Sequence, residues 1–298
     1  MSIQQSHGIA CSGYQASAVR TGYEQIIAQR AGSGFSKVAQ QDGKVISRTD
    51  EGIVVEYKDG TKDGFQIGRR FGNASGLTIA HDMYSELQVG NAFKQGDVLM
   101  YNSGFFEKDR FNPKSLVWKA GVTVKTALLE SRQTHEDASS ISKRLSEKLN
   151  TKTTKVKNVV VTFDQKVSNL LKVGTVVEHD TILCVIQDAN TSDAGLFDEE
   201  SLNTLRVLSS QTPTAKVSGI IERIEVYYHG DKEDMSPGLR ALADASDREI
   251  AQRNRAQGKP GYTGAIDESF RVDGESLVLD SMAIRIYITS DVPAGIGD

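Results

Sequence analysis

Two adjacent carboxylates are the most chemically suggestive residues of the sequence. Glu136 and Asp137 lie directly before a predicted helix. Because hard divalent cations prefer oxygen ligands, such a pair could position a metal ion or a metal-bound triphosphate. The same residue types also cap helices and complement the positive end of the helix dipole. Both interpretations place the pair at the start of that helix.

Two arginines could meet a phosphate group. Arg69 and Arg70 follow a predicted strand, and a solvated surface pair is the alternative interpretation. Residues 32–37 are glycine-rich but lack the spacing and the strand–helix context of a phosphate-binding loop, so they are interpreted as a mobile loop. We expect no metal bound directly by this chain, because its histidines share no ligand spacing with one another.

The composition excludes several classes of protein. The 298 residues carry 35 Lys and Arg against 39 Asp and Glu, so a histone-like neutraliser of phosphate is excluded, although a local basic groove is not. Cys11 and Cys184 form no disulfide framework, which suits a reducing compartment. No apolar run reaches the length of a membrane span, and residues 1–30 contain no signal-peptide core. We therefore expect a soluble, intracellular or particle-packaged protein.

The elements that must position these residues are mostly predicted strands. Residues 53–57 are rich in β-branched types and lead into Asp59-Gly60, so a hairpin is predicted. Residues 1–50 are weakly periodic, which indicates coil with short strands. Further short strands, separated by turn residues, are predicted at 77–80, 96–101, 115–118 and 122–129. This spacing is typical of β-barrels and sandwiches.

Two segments have the same pattern, and we name them the first repeat (residues 89–99) and the second repeat (residues 173–183). Each contains a strand, a glycine turn, an apolar residue, a polar turn and a second strand. The glycine permits a positive φ where the chain folds back. Similar hairpins recur in compact β-barrels, so the repeats indicate fold and not chemistry.

Two helices are also predicted. The first spans residues 137–149, with Asp137 as its N-cap and an apolar stripe that begins at Ile141. The second spans residues 236–257, with Pro237 at its first helical position after a serine N-cap. It is interpreted as an insertion on the β body.

The last strand has the clearest pattern. Residues 282–288 alternate between apolar and other side chains, which predicts a strand with one buried face. The strand leads into the glycine-rich residues 291–298, where the sequence stops. We therefore expect a fold that another polypeptide completes.

A resemblance to a known family starts at residues 96–99, which read Gly-Asp-Val-Leu. In the β subunit of multisubunit DNA-directed RNA polymerases, such a turn precedes a barrel strand. A Glu-Asp pair then opens a helix that contains Ser-x-Arg-Leu. Glu136 and Asp137, followed by residues 141–145, correspond to these features, so residues 89–149 resemble that subunit.

The resemblance extends over most of the chain. Residues 21–24 and 32–34 resemble the family's Gly-Thr-Gly-Met-Glu and the Ser-Gly that follows it. Residues 173–183 and 218–221 resemble the start of the family's flap region and a flap strand. Residues 293–298 are similar to the Pro-Gly-Asp that precedes the family's catalytic lysine segment.

The family implies a mainly β fold with α insertions. A double-psi β-barrel part would be combined with a barrel-sandwich or flap-like part. By this resemblance, residues 1–74 form the coil and strand segment before the barrel, and residues 75–150 form the first half of the barrel. Residues 151–275 form a flap-like domain with a helical insertion at 236–257, and residues 276–298 return to the barrel.

The family also implies a site and partners. Glu136 and Asp137 would be supporting catalytic residues, near a Mg²⁺ ion that a partner subunit mainly holds. Arg69, Arg70 and Asn73 would contact the nucleotide or nucleic acid. The partners would be other β-like and β′-like polymerase fragments, the DNA template and the RNA product, with no membrane.

The sequence also departs from the family. Thr134 and His135 replace aromatics before the acidic pair, Asn73 replaces a triphosphate-contacting arginine, and the lysine segment is absent. This chain alone therefore cannot polymerise. A chain that holds the middle of a β subunit resembles the split subunits of large-genome bacteriophages. We predict a β-like fragment of a phage RNA polymerase, in the host cytoplasm or the virion.

Two alternatives remain open. A phage virion structural protein could retain the polymerase-derived β-barrel without catalysis, and the replaced aromatics and arginine favour this alternative. A carbohydrate-binding or lipoyl-type barrel is the other, but the sequence contains no aromatic platform or modified-lysine hairpin for it.

Overall fold

The computed structural model divides the chain into two compact units. It describes residues 10–74, 77–128, 138–188, 210–261, 263–267, 269, 271–272 and 274–296. Unit 1 contains the described residues of 1–153, 256–258 and 291–298, and unit 2 contains those of 154–255 and 259–290. Both units are built mainly from strands, so the prediction of a mainly β chain is confirmed.

Unit 1 contains short antiparallel sheets and two short helices. Its strands are β1 Gln15–Ala16, β2 Ser36–Val38, β3 Gly43–Arg48, β4 Gly52–Tyr57, β5 Lys62–Gln66, β6 Gly68–Ala74, β7 Leu77–Tyr84, β8 Ala92–Phe93, β9 Val98–Asn102, β10 Phe106–Lys108 and β11 Leu116–Gly121. Its helices are α1 Ile27–Arg30 and α2 Lys143–Lys148, and a 3-10 turn spans Tyr23–Gln25. The strand orders are β5-β4-β3-β8, β1-β11-β10 and β7-β9-β2, with β6 paired to β7.

Unit 2 is organised around longer strands. Its strands, wholly or for most of their length, are β12 Thr151–Thr162, β13 Gln165–Ser168, β14 Val176–Val177, β15 Val185–Asp188, β16 Gly219–His229, β17 Arg271–Val272, β18 Glu275–Ser276 and β19 Ser281–Val292. Helix α3 spans Pro237–Ala256, and a 3-10 turn spans Lys232–Asp234. The strand order is β14-β16-β19-β12, and the pairs β13-β15 and β17-β18 lie apart from it.

The predicted hairpin after residue 52 is confirmed. Strands β4 and β5 pair antiparallel, and Gly60 takes a φ of 83° in the turn between them. Ile53 and Val55 of β4 are fully buried in the main core of unit 1. Because branched side chains pack well on a pleated, buried surface, this strand agrees with its sequence pattern.

The two repeats fold into the same turn, as predicted. Gly90 of the first repeat has a φ of 87° and Gly174 of the second has a φ of 89°, values that favour glycine. Each glycine precedes a two-residue strand, β8 or β14. The second residue of that strand, Phe93 or Val177, is buried.

Both turns also bond to a neighbouring strand in the same way. Gly90 N–H donates to Val45 O at 2.8 Å, and Val45 N–H donates to Asn91 O, the carbonyl oxygen of the residue after the glycine, at 3.0 Å. Gly174 N–H donates to Ile221 O at 2.7 Å, and Ile221 N–H donates to Thr175 O, again in the residue after the glycine, at 3.0 Å. Val45 in β3 and Ile221 in β16 therefore hold equivalent positions.

Strand β19 differs from its prediction. Its apolar residues, such as Ile284, are buried as expected, but Ala283 on the other face is fully buried as well. Ala283 packs against Val272 and Leu277 of a small second core, which explains why the second face is covered at this position. The prediction of one buried face is wrong. Both edges of β19 are paired within the chain, with β16 and β12.

The predicted strand at 122–129 is also wrong, for the residues of it that the structure describes. Residues 122–128 form no strand and are mostly exposed. By contrast, the strands predicted at 77–80, 96–101 and 115–118 fall on β7, β9 and β11. Because β-propensity depends on packing against a neighbouring strand, an apolar pattern alone does not produce one.

Helix α3 agrees with its prediction. It begins at Pro237 and ends at Ala256, and Gly258 beyond it has a φ of 64°. Leu239 and Ala243 are fully buried in the main core of unit 2. No helix in the described part of the chain combines the length and the apolar character that a membrane crossing requires.

Candidate phosphate-contact site

The acidic pair on which the predicted catalytic role rests, Glu136 and Asp137, lies outside the described residues. The helix that the pair was expected to precede begins later in the chain. Helix α2 starts at Lys143, and the Ser142 side chain accepts a bond of 3.2 Å from Leu145 N–H. Asp137 as the N-cap is therefore wrong. Ser142 is the N-cap, and its side-chain oxygen satisfies one of the free amides of the first helical turn.

The predicted contact residues Arg69, Arg70 and Asn73 all lie on β6. This strand forms a hairpin with β7, in which Arg69 pairs with Asp82 and Arg70 pairs with His81. Because successive residues of a strand point to opposite faces, Arg69 and Arg70 lie on different faces of the hairpin. The adjacent positions of the two arginines in the sequence suggest one binding surface. The structure places them on opposite faces, so they do not form one.

Arg69 is bound to a carboxylate. Its Nη2 donates to Asp82 Oδ2 at 3.1 Å, and its Nε bonds the other carboxylate oxygen. This two-point geometry is the strongest that an arginine and a carboxylate form. The charge of Arg69 is thereby largely neutralised within the hairpin itself.

Arg70 has different surroundings. It is partly buried, and its Nη2 donates to the carbonyl oxygen of Ser33 at 2.9 Å. No carboxylate among the residues that the structure describes lies within ion-pair distance of Arg70. Burial lowers the pKa of the guanidinium from its ordinary value, because desolvation disfavours the charged form. Arg70 is thus a partly desolvated cation without an acidic partner in this part of the molecule.

Ser33 belongs to the glycine-rich segment at 32–37, which the sequence suggested was a mobile loop. The segment forms a turn, in which Phe35 N–H donates to Gly32 O at 2.8 Å. The Ser36 hydroxyl also bonds the carbonyl oxygen of Ala28. The segment therefore presents its backbone to Arg70 in a defined shape.

His81 stands opposite Arg70 on β7. Its Nδ1 lies 3.1 Å from the side-chain nitrogen of buried Asn102, which can only donate, so Nδ1 is the acceptor. Burial lowers the pKa of His81, and the nearby charge of Arg70 lowers it further, against the opposing effect of Asp82. The neutral ring therefore carries its proton on Nε2. A Cβ at Gly72 would lie 3.3 Å from that nitrogen, so the glycine leaves room for it.

These groups offer a positive charge and a hydrogen-bond donor to an anion. Arg70 supplies a cation, the Nε2–H of His81 a neutral donor, and Ser33 anchors the arginine. An oxyanion is the ligand that such donors attract. The described residues contain no group of three or more His, Cys, Asp and Glu side chains that could hold a metal ion.

The sequence indicated Arg70 but not the groups around it. The position of His81 opposite Arg70 could have been predicted. Turn-forming residues at 73–76 lie between two extended segments and indicate a hairpin. The register of such a hairpin pairs residue 70 with residue 81. Asn102 and Ser33 are brought to the site by pairing between strands that are distant in sequence, and no local pattern marks them.

Comparison with known proteins adds no identification at this site. No protein-family model matches the sequence, and no curated protein matches it. The interpretation of the site therefore rests on its own geometry and on the motifs of the sequence.

Proposed function

We propose that this chain is a β-like subunit fragment of a phage multisubunit DNA-directed RNA polymerase. In this proposal the hairpin β6–β7 contributes Arg70 as a contact to a phosphate group of the nucleic acid or the incoming nucleotide. The chain acts in RNA synthesis only within a complex of β-like and β′-like fragments. It has no polymerase activity alone.

The observation that carries the proposal is the state of Arg70. A charge that is partly removed from water and has no acidic partner is unfavourable unless a ligand supplies the counter-charge. A phosphate oxygen accepts bonds from a guanidinium with strong, directional geometry. The neutral His81 supports this role, because it adds a donor without adding a second charge to repel Arg70.

The remaining parts of the proposal follow the resemblance. Glu136 and Asp137 support catalysis near a Mg²⁺ ion that a partner subunit holds. Residues 75–150 contribute to a double-psi β-barrel, after a leading segment at 1–74. Residues 151–275 form a flap-like domain, and residues 276–298 return to the barrel. The recurrence of one glycine-turn hairpin in both units supports a barrel-type architecture.

A second candidate function is favoured by Arg69. Its two-point pairing with Asp82 occupies one of the three residues that the resemblance implies as nucleic-acid contacts. A phage virion structural protein with a retained β-barrel would make no nucleic-acid contact here, so it does not require an unpaired cation at this position. Arg69 therefore favours this candidate, whereas Arg70 favours the polymerase.

The first experiment asks whether a transcribing complex exists. A tagged chain is purified from phage-infected cells, its partners are identified by mass spectrometry, and RNA synthesis is measured on tailed DNA with Mg²⁺ and nucleoside triphosphates. We expect a partner with an aspartate-rich metal motif and RNA products. Recovery of the chain only in tail or baseplate structures, at a fixed copy number and without RNA synthesis, would contradict the proposal and support the structural candidate.

The second experiment tests the contact. Arg70→Ala in the reconstituted complex should raise the KM for nucleotide or the Kd for template by about tenfold or more, since a hydrogen bond to a charged group is worth about 1.5–3 kcal/mol. Arg110→Ala is the matched control, because Arg110 is an exposed arginine of the same unit. Equal KM and Kd values in both variants would remove Arg70 from the site.

The acidic pair needs its own test. Glu136→Ala combined with Asp137→Ala should lower the elongation rate while the complex still assembles, because the charge near the second Mg²⁺ is lost. Size-exclusion chromatography checks assembly, and single-round elongation checks the rate. Elongation at the wild-type rate would end the assignment of these two residues and leave the Arg70 test unaffected.

A further inference from the structure

A second polar cluster lies in unit 2, on the β16–β19 pair. The main core of the unit covers the face that carries Ile284 and Ile286. Arg285 lies on the opposite face, where its cross-strand partner is Glu225. Opposite charges that face each other in this way normally pair. Here they do not form the ion pair that the register offers.

Glu225 is bound by other residues. Its Oε1 accepts a bond of 2.9 Å from Arg253, and its Oε2 accepts bonds of 3.0 Å from the hydroxyls of Tyr227 and Tyr287. Arg223 lies 3.6 Å from Oε1. Both oxygens of the carboxylate are therefore engaged without Arg285.

The protonation states of the cluster follow from these contacts. Burial would raise the pKa of Glu225, but the bond and charge of Arg253 and the bond from Tyr287 outweigh it, and the net pKa is lowered. Burial and the charge of Glu225 raise the pKa of Tyr227 to about 12. The same causes raise the pKa of Tyr287. The carboxylate is ionised and both phenols stay protonated as donors.

Arg285 is held by aromatic rings instead of by acids. The centre of its guanidinium lies 5.9 Å from the ring centroid of Tyr227 and 5.7 Å from that of Tyr287. Its Nε is buried and has no hydrogen-bond partner among the described residues. Within the same part of the chain, no carboxylate lies at ion-pair distance from Arg285. The side chain keeps partial exposure, so a ligand from solvent can reach it.

We propose that Arg285 is the principal ligand of a binding site for a phosphate-type oxyanion on this face of unit 2. Two flanking rings fix the guanidinium before the ligand arrives, so little conformational freedom is lost on binding. The guanidinium fork matches the oxygens of a phosphate. Arg253 and Arg223, which share Glu225, make the field around Arg285 positive and favour a phosphate over a singly charged carboxylate.

The phosphate group has two possible sources, free phosphate compounds and the phosphodiester backbone of a nucleic acid. This site lies in unit 2 and depends on neither Arg70 nor the acidic pair. Its failure would leave the polymerase proposal standing, and its success would not establish that proposal.

The deciding variant is Arg285→Met, which removes the charge and keeps a side chain of similar length. Because a partly buried cation without a partner is unfavourable, we expect this variant to keep its folding stability without ligand. Arg248→Ala, which removes an exposed arginine of helix α3, is the matched control. A purely structural role for Arg285 predicts the opposite, a loss of stability that is the same with and without ligand.

The first measurement is the thermal unfolding temperature of the full chain in sodium phosphate against sodium chloride of equal ionic strength. Ligand that binds only the folded state raises this temperature, and the rise increases with the logarithm of the ratio of ligand concentration to Kd. We expect a phosphate-specific rise in the wild type and in Arg248→Ala. In Arg285→Met the affinity for phosphate should fall by about tenfold or more, and the rise should largely disappear.

The second measurement separates the two sources. Fluorescence anisotropy reports the binding of a labelled single-stranded DNA oligonucleotide to the same three proteins. Weaker binding to Arg285→Met than to Arg248→Ala indicates a phosphodiester ligand, and equal binding with a lost phosphate response indicates a small phosphate compound. Both results support the site. An equal phosphate response in all three proteins, or none in the wild type together with unchanged DNA binding, would overturn it.

Discussion

In unit 1 the first repeat (residues 89–99) bonds β8 to β3, and in unit 2 the second repeat (residues 173–183) bonds β14 to β16, through matching hydrogen bonds. Each repeat ends in a fully buried leucine, Leu99 or Leu183. The strand positions and the direction of the chain agree as well. The local sequence therefore produces one backbone structure in two different cores.

The neighbouring strands match down to their irregularities. A Cβ at Gly43 of β3 would lie 2.5 Å from Glu56 O, and a Cβ at Gly219 of β16 would lie 2.4 Å from Thr289 O. Only glycine permits such a close approach of two strands. In both strands the pairing register shifts two residues after the glycine. The shift lies between Val45 and Ser47 in β3 and between Ile221 and Arg223 in β16. Such bulges re-aim the strand and are structural features in their own right.

The outward faces differ. In the second repeat, Val176 pairs with Ile220, and these side chains are 71% and 46% exposed. The equivalent pair of the first repeat is Ala92 and Lys44, which presents little apolar surface. The buried and positive-φ positions therefore specify the backbone, and the outward positions are free to vary.

The largest effect is expected from the buried leucines. Leu99→Ala and Leu183→Ala should each lower the free energy of unfolding by about 2–5 kcal/mol, because each leaves a cavity in a packed core. Urea denaturation measures the loss. Hydrogen exchange with mass spectrometry assigns it to peptides of unit 1 for Leu99→Ala and of unit 2 for Leu183→Ala.

The first residue of each repeat provides a matched control for its buried leucine. Val89 and Val173 are both 59% exposed, so Val89→Ala and Val173→Ala should change the unfolding free energy by less than about 0.5 kcal/mol. A small loss for one leucine variant and a large loss for the other would show that the two repeats are not equivalent in their cores.

An intermediate effect is expected from the turn glycines. No heavy atom lies within 4 Å of the position that a Cβ would take at Gly90 or Gly174. Alanine there is therefore opposed only by the positive φ, which costs about 1–2 kcal/mol. Gly90→Ala and Gly174→Ala should lose similar amounts in the same urea experiment.

The control for this pair is Gly121→Ala. Its Cβ would also meet no atom within 4 Å, but its φ is not positive. Alanine at such a position is neutral or slightly stabilising, because it restricts the unfolded chain. A loss at residue 121 as large as at 90 and 174 would show that φ is not the cause.

Local patterns predicted the parts of the fold that local physics decides. The hairpin at 53–57, the two repeats and helix α3 depend on turn glycines, on alternation and on an N-terminal proline. Their structures agree with these signals. The predicted strand at 122–129 failed over its described residues because a strand also needs a neighbour, which one sequence segment does not contain.

The other differences have the same physical origin. Ile141 was expected in the apolar stripe of a helix, but it precedes α2 and is 42% exposed. Ala283 was expected on an exposed face, but Val272 and Leu277 cover it. At the candidate site, the sequence indicated Arg70, whereas the burial of His81 depends on a tertiary arrangement that periodicity does not reveal.

The smallest effect is expected where the repeats differ. Val176→Ala with Ile220→Lys gives the second repeat the outer pair of the first. Because both side chains are largely exposed, the unfolding free energy should change by about 0.5 kcal/mol or less, within the range of exposed cross-strand pairs. The reciprocal control, Ala92→Val with Lys44→Ile, should be equally mild in urea denaturation. The exposed apolar area should move with the residues, so binding of a hydrophobic dye should fall in the first double variant and rise in the second. A stability loss above about 1 kcal/mol in either double variant would mean that the outer pair also specifies the backbone, since substitutions at outward positions normally stay below that size.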